Sequence, residues 1–146
     1  MKRTKLILSF IAFILTILVF VQACKKGNSS DLSGTYEVSL DQTKQMPENG
    51  TSATLTLINV DDTRCPINAN CVSAGYVLIK VKFRDKNGEQ TIEICANDCL
   101  DKVLRKNTIV LNGVSYTLKL MEVSPFPDTS RPASTKKKAT ILITKA

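Results

Sequence analysis

The sequence predicts an all-β fold: a small antiparallel β-sandwich or partly open barrel of about seven strands, preceded by a signal-peptide helix. Three observations carry this reading. Beyond residue 33 the apolar residues recur with period two rather than 3.6. Two Asn-Gly pairs stand between such stretches, where hairpin turns need them. No stretch past residue 33 has the spacing of a long amphipathic helix.

The chain of 146 residues carries a net charge of +7 and divides into three parts. Residues 1–23 read as a lipoprotein signal peptide. Lys2, Arg3 and Lys5 form a basic start, and Leu6–Val21 is apolar apart from Ser9 and Thr16. The run approaches the ~18 residues of a membrane span, but its C-terminal end favours cleavage. Val21-Gln22-Ala23-Cys24 resembles the lipobox of bacterial lipoproteins. That resemblance implies a diacylglycerol thioether on Cys24, an acylated amine and membrane attachment, since two or more acyl chains hold stably. Residues 24–33 form a lipidated flexible tether, polar over Lys25–Leu32. Residues 34–146 form one all-β domain. Discarding residues 1–23 removes three cations and no acid, so the net charge falls from +7 to +4. So modest a balance does not call for nucleic acid as a partner.

Within the domain, Tyr36, Val38 and Leu40 alternate with polar neighbours, as do Leu55 and Leu57. Val77, Ile79, Val81 and Phe83 alternate with Leu78, Lys80 and Lys82, which places the lysines toward water. Lys86-Asn87-Gly88-Glu89 is expected to join this strand to Thr91–Cys95, and Asn112-Gly113 to join Thr108–Leu111 to Val114–Met121. Both Asn-Gly pairs suit a type I′ turn, because they accept positive φ. Val114, Tyr116, Leu118 and Leu120 form an inward face, Pro125 and Pro127 interrupt it, and a last strand runs near Ala139–Thr144. Asp101–Lys106 could supply one helical turn.

Four cysteines remain once Cys24 is assigned to lipid: Cys65, Cys71, Cys95 and Cys99. An even number in an exported domain argues for two disulfides. Cys65–Cys71 and Cys95–Cys99 are favoured because each pair brackets a short polar loop. A crossed pairing stays open, because a two-residue Asn87-Gly88 turn would put Cys99 opposite Tyr76, near Cys71. The spacings C-x5-C and C-x3-C match neither a zinc knuckle nor a C-x-x-C redox pair, so no metal or cofactor is expected.

The chain contains no histidine. That removes Ser-His-Asp and Cys-His nucleophile activation and the usual ligands of zinc hydrolases. A carboxylate pair could still cleave a glycoside, but Asp61-Asp62 and Asp98 with Asp101 read as solvated turn residues, with a weak calcium site among Asp61, Asp62 and Asn70 as the rival. The expectation is therefore no enzyme and no catalytic residue. Phe126, between two prolines, and Lys136, Lys137 and Lys138 form a possible binding loop for membrane or an anionic partner. The plainer account is a solvated loop whose charges guard an edge strand.

Asp62-Thr63-Arg64-Cys65-Pro66, then Cys71-Val72-Ser73-Ala74-Gly75, then Tyr116-Thr117-Leu118-Lys119-Leu120, Val123 and Pro125-Phe126-Pro127 form a further pattern. It resembles a group of small uncharacterised lipoproteins of Bacteroidetes-type bacteria, with D-S-R-C-P, C-V-W-A-G, a late Y-x-L-x-L strand and V-x-P-x-P. The resemblance covers about residues 55–127. It implies a β-sandwich-like domain and a Cys65–Cys71 bridge, and it supplies no activity. Thr63 and Ser73 depart from the pattern, and any ligand platform made by the usual aromatic is lost at Ser73. Without the resemblance, the motif is a stapled loop with Gly75 bending into the next strand.

Together these readings lead to an expected envelope lipoprotein, a non-enzymatic binding or structural module that touches a protein, glycan or lipid through its loops. The rival is an inhibitor of an exogenous lysozyme or protease, since a rigid stapled loop can plug a cleft. Lys25 stands where an Asp would retain a lipoprotein at the inner membrane, and no acidic surface-export stretch comes after it. The expected location is the periplasmic face of the outer membrane.

Overall fold

The computed structural model describes residues 31–47, 52–97, 99, 107–132 and 135–146. The expected signal peptide, Cys24, the expected tether as far as Ser30, Asp98 and the possible helical turn over Asp101–Lys106 lie outside the described residues.

Eight strands succeed one another: β1 Gly34–Ser39, β2 Thr43–Met46, β3 Ala53–Asp62, β4 Tyr76–Asp85, β5 Gly88–Asn97, β6 Thr108–Leu111, β7 Val114–Ser124 and β8 Lys138–Lys145. They form two four-stranded antiparallel sheets, in the orders β1-β8-β7-β6 and β2-β3-β4-β5. The sheets stay separate rather than closing into a barrel, so of the two expected architectures the molecule is the sandwich. A single parallel bridge, Leu40 to Leu57, marks where the chain leaves the first sheet for the second.

Alternation explains the core. On β4 Val77, Ile79, Val81 and Phe83 are buried while Lys80 and Lys82 lie on the outer face, where Lys80 pairs with Glu93 at 2.9 Å. On the facing sheet Tyr116, Leu118, Ile141 and Ile143 fill the other side. The eighth strand, β2, carries a single buried apolar residue, Met46, which is too little alternation to be seen in advance.

The two hairpin turns differ. Asn112 (φ 52°) and Gly113 (φ 83°) make the positive-φ pair expected between β6 and β7, with Leu111 opposite Val114. The β4–β5 turn does not. Its turn residues are Lys86 and Asn87, neither with positive φ, and Asp85 pairs with Gly88. The Asp85 carboxylate accepts the amides of Asn87 (2.8 Å) and Gly88 (3.1 Å), an aspartate turn one residue earlier than expected, which shifts the pairing on β5 by two residues. Tyr76 therefore faces Asn97, not Cys99, and the geometric basis for a crossed disulfide disappears. Asp85 also accepts the amide of Asn112, which ties the turns of the two sheets together at one end of the sandwich. Burial works to raise its pKa, but these donated amides outweigh it and hold the carboxyl below the ordinary value.

Leu32 and Ser33, which the sequence reading assigns to the tether, contact the β domain. Leu32 is fully buried in the core. Its amide donates to the Tyr116 hydroxyl (3.2 Å) and its carbonyl accepts from the Tyr36 hydroxyl (3.0 Å). Ser33 continues the clamp by accepting the Lys145 amide (3.1 Å). One apolar residue among polar ones gives no periodicity, yet it plugs the end of the core. Leu32→Ala should lower stability by about 2 kcal/mol, near the low end of the range for a buried leucine. In thermal unfolding this is a fall of about 10 °C; an unchanged midpoint would show the plug to be dispensable.

Both sheets carry a bulge near the same end. In β3 the register with β4 shifts between Leu57 and Asn59, and in β7 the register with β8 shifts between Leu120 and Glu122. Each adds one residue and reverses which side chains face inward. On β3 Ala53, Leu55 and Leu57 point in, and past the bulge the half-buried positions are Val60 and Asp62. On β7 Tyr116, Leu118 and Leu120 point in, and past the bulge Val123 does.

Candidate functional site

The paired bulges place an acid inside the molecule. Asp62 ends β3 with a side chain only 5 % exposed, and the next turn of chain returns Arg64 toward it. The guanidinium grips the carboxylate with two donors, Nε to Oδ1 at 2.7 Å and Nη2 to Oδ2 at 2.8 Å. Nη2 also donates to the Val123 carbonyl at 2.8 Å, across to the other sheet. Lys137, just before β8, adds Nζ to Asp62 Oδ2 and to the Pro125 carbonyl, each at 2.7 Å. Arg64 is the only buried polar or charged residue among those described, so this forked pair carries the charge balance of the interior.

Asp62 and Lys137 therefore differ from the sequence reading. Asp62 is no solvated turn residue and no calcium ligand, because Arg64 and Lys137 occupy its oxygens; its neighbour Asp61 is the exposed one. Burial tends to raise the Asp62 pKa, but hydrogen bonds and charge from Arg64 and Lys137 prevail and hold its carboxyl below the ordinary value. Lys137 turns inward, and Lys138, at the start of β8, pairs with Glu37 at 3.2 Å. Only Lys136 of the three keeps the free, outward placement expected of the run.

Phe126 lies over the same cluster. The Arg64 guanidinium stacks on its ring, 4.2 Å from the centroid, and the ring remains 42 % exposed. The Pro125–Arg131 segment is fastened beside it. The Pro127 carbonyl accepts the Ile67 amide (3.0 Å), Asp128 accepts from Asn68 Nδ2 (2.9 Å), and Asn68 Oδ1 accepts the Thr129 amide (3.0 Å). Arg131 Nη1 donates to the Phe126 carbonyl at 3.1 Å.

The opposite wall is the stapled loop. Cys65 is bonded to Cys71, with their Cα atoms 5.9 Å apart, and Cys95 to Cys99, 6.4 Å apart. The second bridge lies at the end of edge strand β5 and does not touch the cluster. Below the first, Thr63 and Tyr76 extend the β3–β4 pairing through Thr63 N to the Tyr76 carbonyl (2.9 Å), and Cys65 N reaches the Ala74 carbonyl (2.9 Å). Gly75, at φ +69°, sits in the tightest place: a Cβ there would lie 2.0 Å from the Thr63 carbonyl oxygen. The bend expected at Gly75 is thus a close backbone approach as well.

The outcome is one end of the sandwich built from two distant segments, Asp62–Gly75 and Val123–Lys137. A groove of about 360 Å³ lies at this end, lined by Pro66 from the first segment and by Phe126, Asp128, Arg131, Pro132 and Lys137 among others from the second. Phe126 lines it and stands exposed, and Ile67 and Val72, near the two cysteines of the stapled loop, are exposed as well. Chemically the cluster is closed: its acid is held ionised by two cations, and no buried side-chain nitrogen or oxygen among the described residues lacks a hydrogen-bond partner. Such an arrangement positions loops; it offers no poised base or nucleophile. Arg64 and the carbonyls of Val123 and Pro125 escaped the sequence reading as a site, and Asp62 entered it only as a rival calcium ligand. The available signal was the spaced pattern D-T-R-C-P and V-S-P-F-P, whose two halves meet here. Comparison with known proteins finds no matching family model, no similar curated protein and no similar solved structure.

Proposed function

We propose that this chain is a bacterial envelope lipoprotein, held through Cys24 at the periplasmic face of the outer membrane, whose domain is a non-enzymatic binding module. The loop end around Phe126 is its recognition surface. The observation that carries this is the pairing of exposed apolar side chains, Ile67, Val72 and Phe126, with a rigid support. The Cys65–Cys71 disulfide and close-packed Gly75 brace the segment that carries Ile67 and Val72, and Arg64 of the buried ion-pair fork stacks on Phe126. The absence of histidine from the chain supports a task without chemistry. Likeness of the D-[ST]-R-C-P…C-V-x-A-G and V-x-P-x-P segments to small lipoproteins fits the same reading.

Two measurements test it. With an alkyne-bearing fatty acid, the wild-type chain should be labelled and found in the membrane, and Cys24→Ser should give an unlabelled, uncleaved precursor. A Cys24→Ser chain that is still cleaved and membrane-bound refutes the anchor. A photo-crosslinking residue at Ile67 should trap an envelope component in intact cells, and one at Ile58, exposed on β3, should not. Equal yields from both positions would remove the loop end as the recognition surface. Inhibition of an exogenous lysozyme or protease is the second reading, favoured by the full exposure of Val72 beside the stapled loop; it would show as a crosslink to a secreted hydrolase.

A further inference from the structure

We draw no further inference here: the strongest candidate, the cleft of about 350 Å³ between edge strand β5 and β7, lined by Glu93, Cys95, Asn107 and Lys119 among others, carries nothing, because nothing in the structure shows what covers it.

Discussion

Gly75→Ala is expected to destabilise the domain by about 4 kcal/mol or more, the range reserved for backbone strain and overpacking combined. Two independent costs meet at this position. Gly75 has φ +69°, and an L-residue in the left-handed region costs about 1–2 kcal/mol on its own. The larger cost is steric. A Cβ would lie 2.0 Å from the Thr63 carbonyl oxygen, 2.7 Å from its carbon and 3.0 Å from the Arg64 Cα. These are backbone atoms, which cannot rotate away as a side chain would. The segment is also pinned on both sides, by Thr63 N to the Tyr76 carbonyl, by Tyr76 N to Thr63 Oγ1 and by Cys65 N to the Ala74 carbonyl. Relief requires Thr63–Cys65 to move as a unit, which draws Arg64 out of its fork with Asp62. Gly113→Ala is the internal control: φ is +83° there, but nothing stands within 4 Å of an added Cβ, so only the conformational cost of about 1–2 kcal/mol applies. Urea unfolding of the three chains measures both. A Gly75→Ala chain no less stable than Gly113→Ala would show that the close approach is not constraining.

Most of the sandwich is readable in the residues themselves, because its strands obey simple alternation. Val77–Phe83 and Val114–Leu120 each present four apolar residues at period two, and their burial follows from that spacing alone. The Asn112-Gly113 turn is readable for the same local reason. What resists reading is what depends on a partner far away in sequence. Asn87-Gly88 has the right residues for a type I′ turn, yet Asp85 captures the amides of Asn87 and Gly88 and moves the turn one residue earlier, aided by Asn112 from the other sheet. Leu32 has no periodic neighbour, and its burial depends on Tyr36 and Tyr116.

The candidate site was hidden by the bulges. Counting by twos from Leu55 and Leu57 puts Asp62 on the outer face, where an aspartate beside another aspartate reads as a solvated turn. One extra residue in β3 reverses that, and one extra residue in β7 turns Val123 inward to meet it. No single-sequence rule places a bulge there. The same holds for Lys137, which counts as one of three like charges until Asp62 is seen behind it. Phe126 was visible as an exposed aromatic between prolines, but its ring rests on Arg64, a residue that sequence separation gave no reason to connect with it.

Asp62→Asn is the second large effect, and it carries a pH signature that distinguishes charge from shape. Asparagine keeps the size and can accept from Arg64 through one oxygen, so packing is preserved. It cannot neutralise Arg64, whose side chain is 7 % exposed, or take the second donor of the fork. Breaking a buried pair from one side leaves an uncompensated cation, and the cost at neutral pH should be about 3 kcal/mol. The acid limb follows from linkage. The Asp62 carboxyl is held below its ordinary value, so the stability it adds is complete above the unfolded aspartate pKa of about 3.9 and is lost as pH falls through the lower folded value. The asparagine of the variant does not titrate. The stability gap between wild type and variant should therefore be widest near neutrality and shrink below about pH 4 as wild-type Asp62 takes up its proton. Asp31, Asp85, Glu89 and Asp128 are held low as well, but they are common to both chains and cancel in the difference. A gap that stays constant from neutral pH to strong acid would mean that the asparagine is a poor fit rather than a missing charge, and that the ion-pair fork does not organise this end of the sandwich.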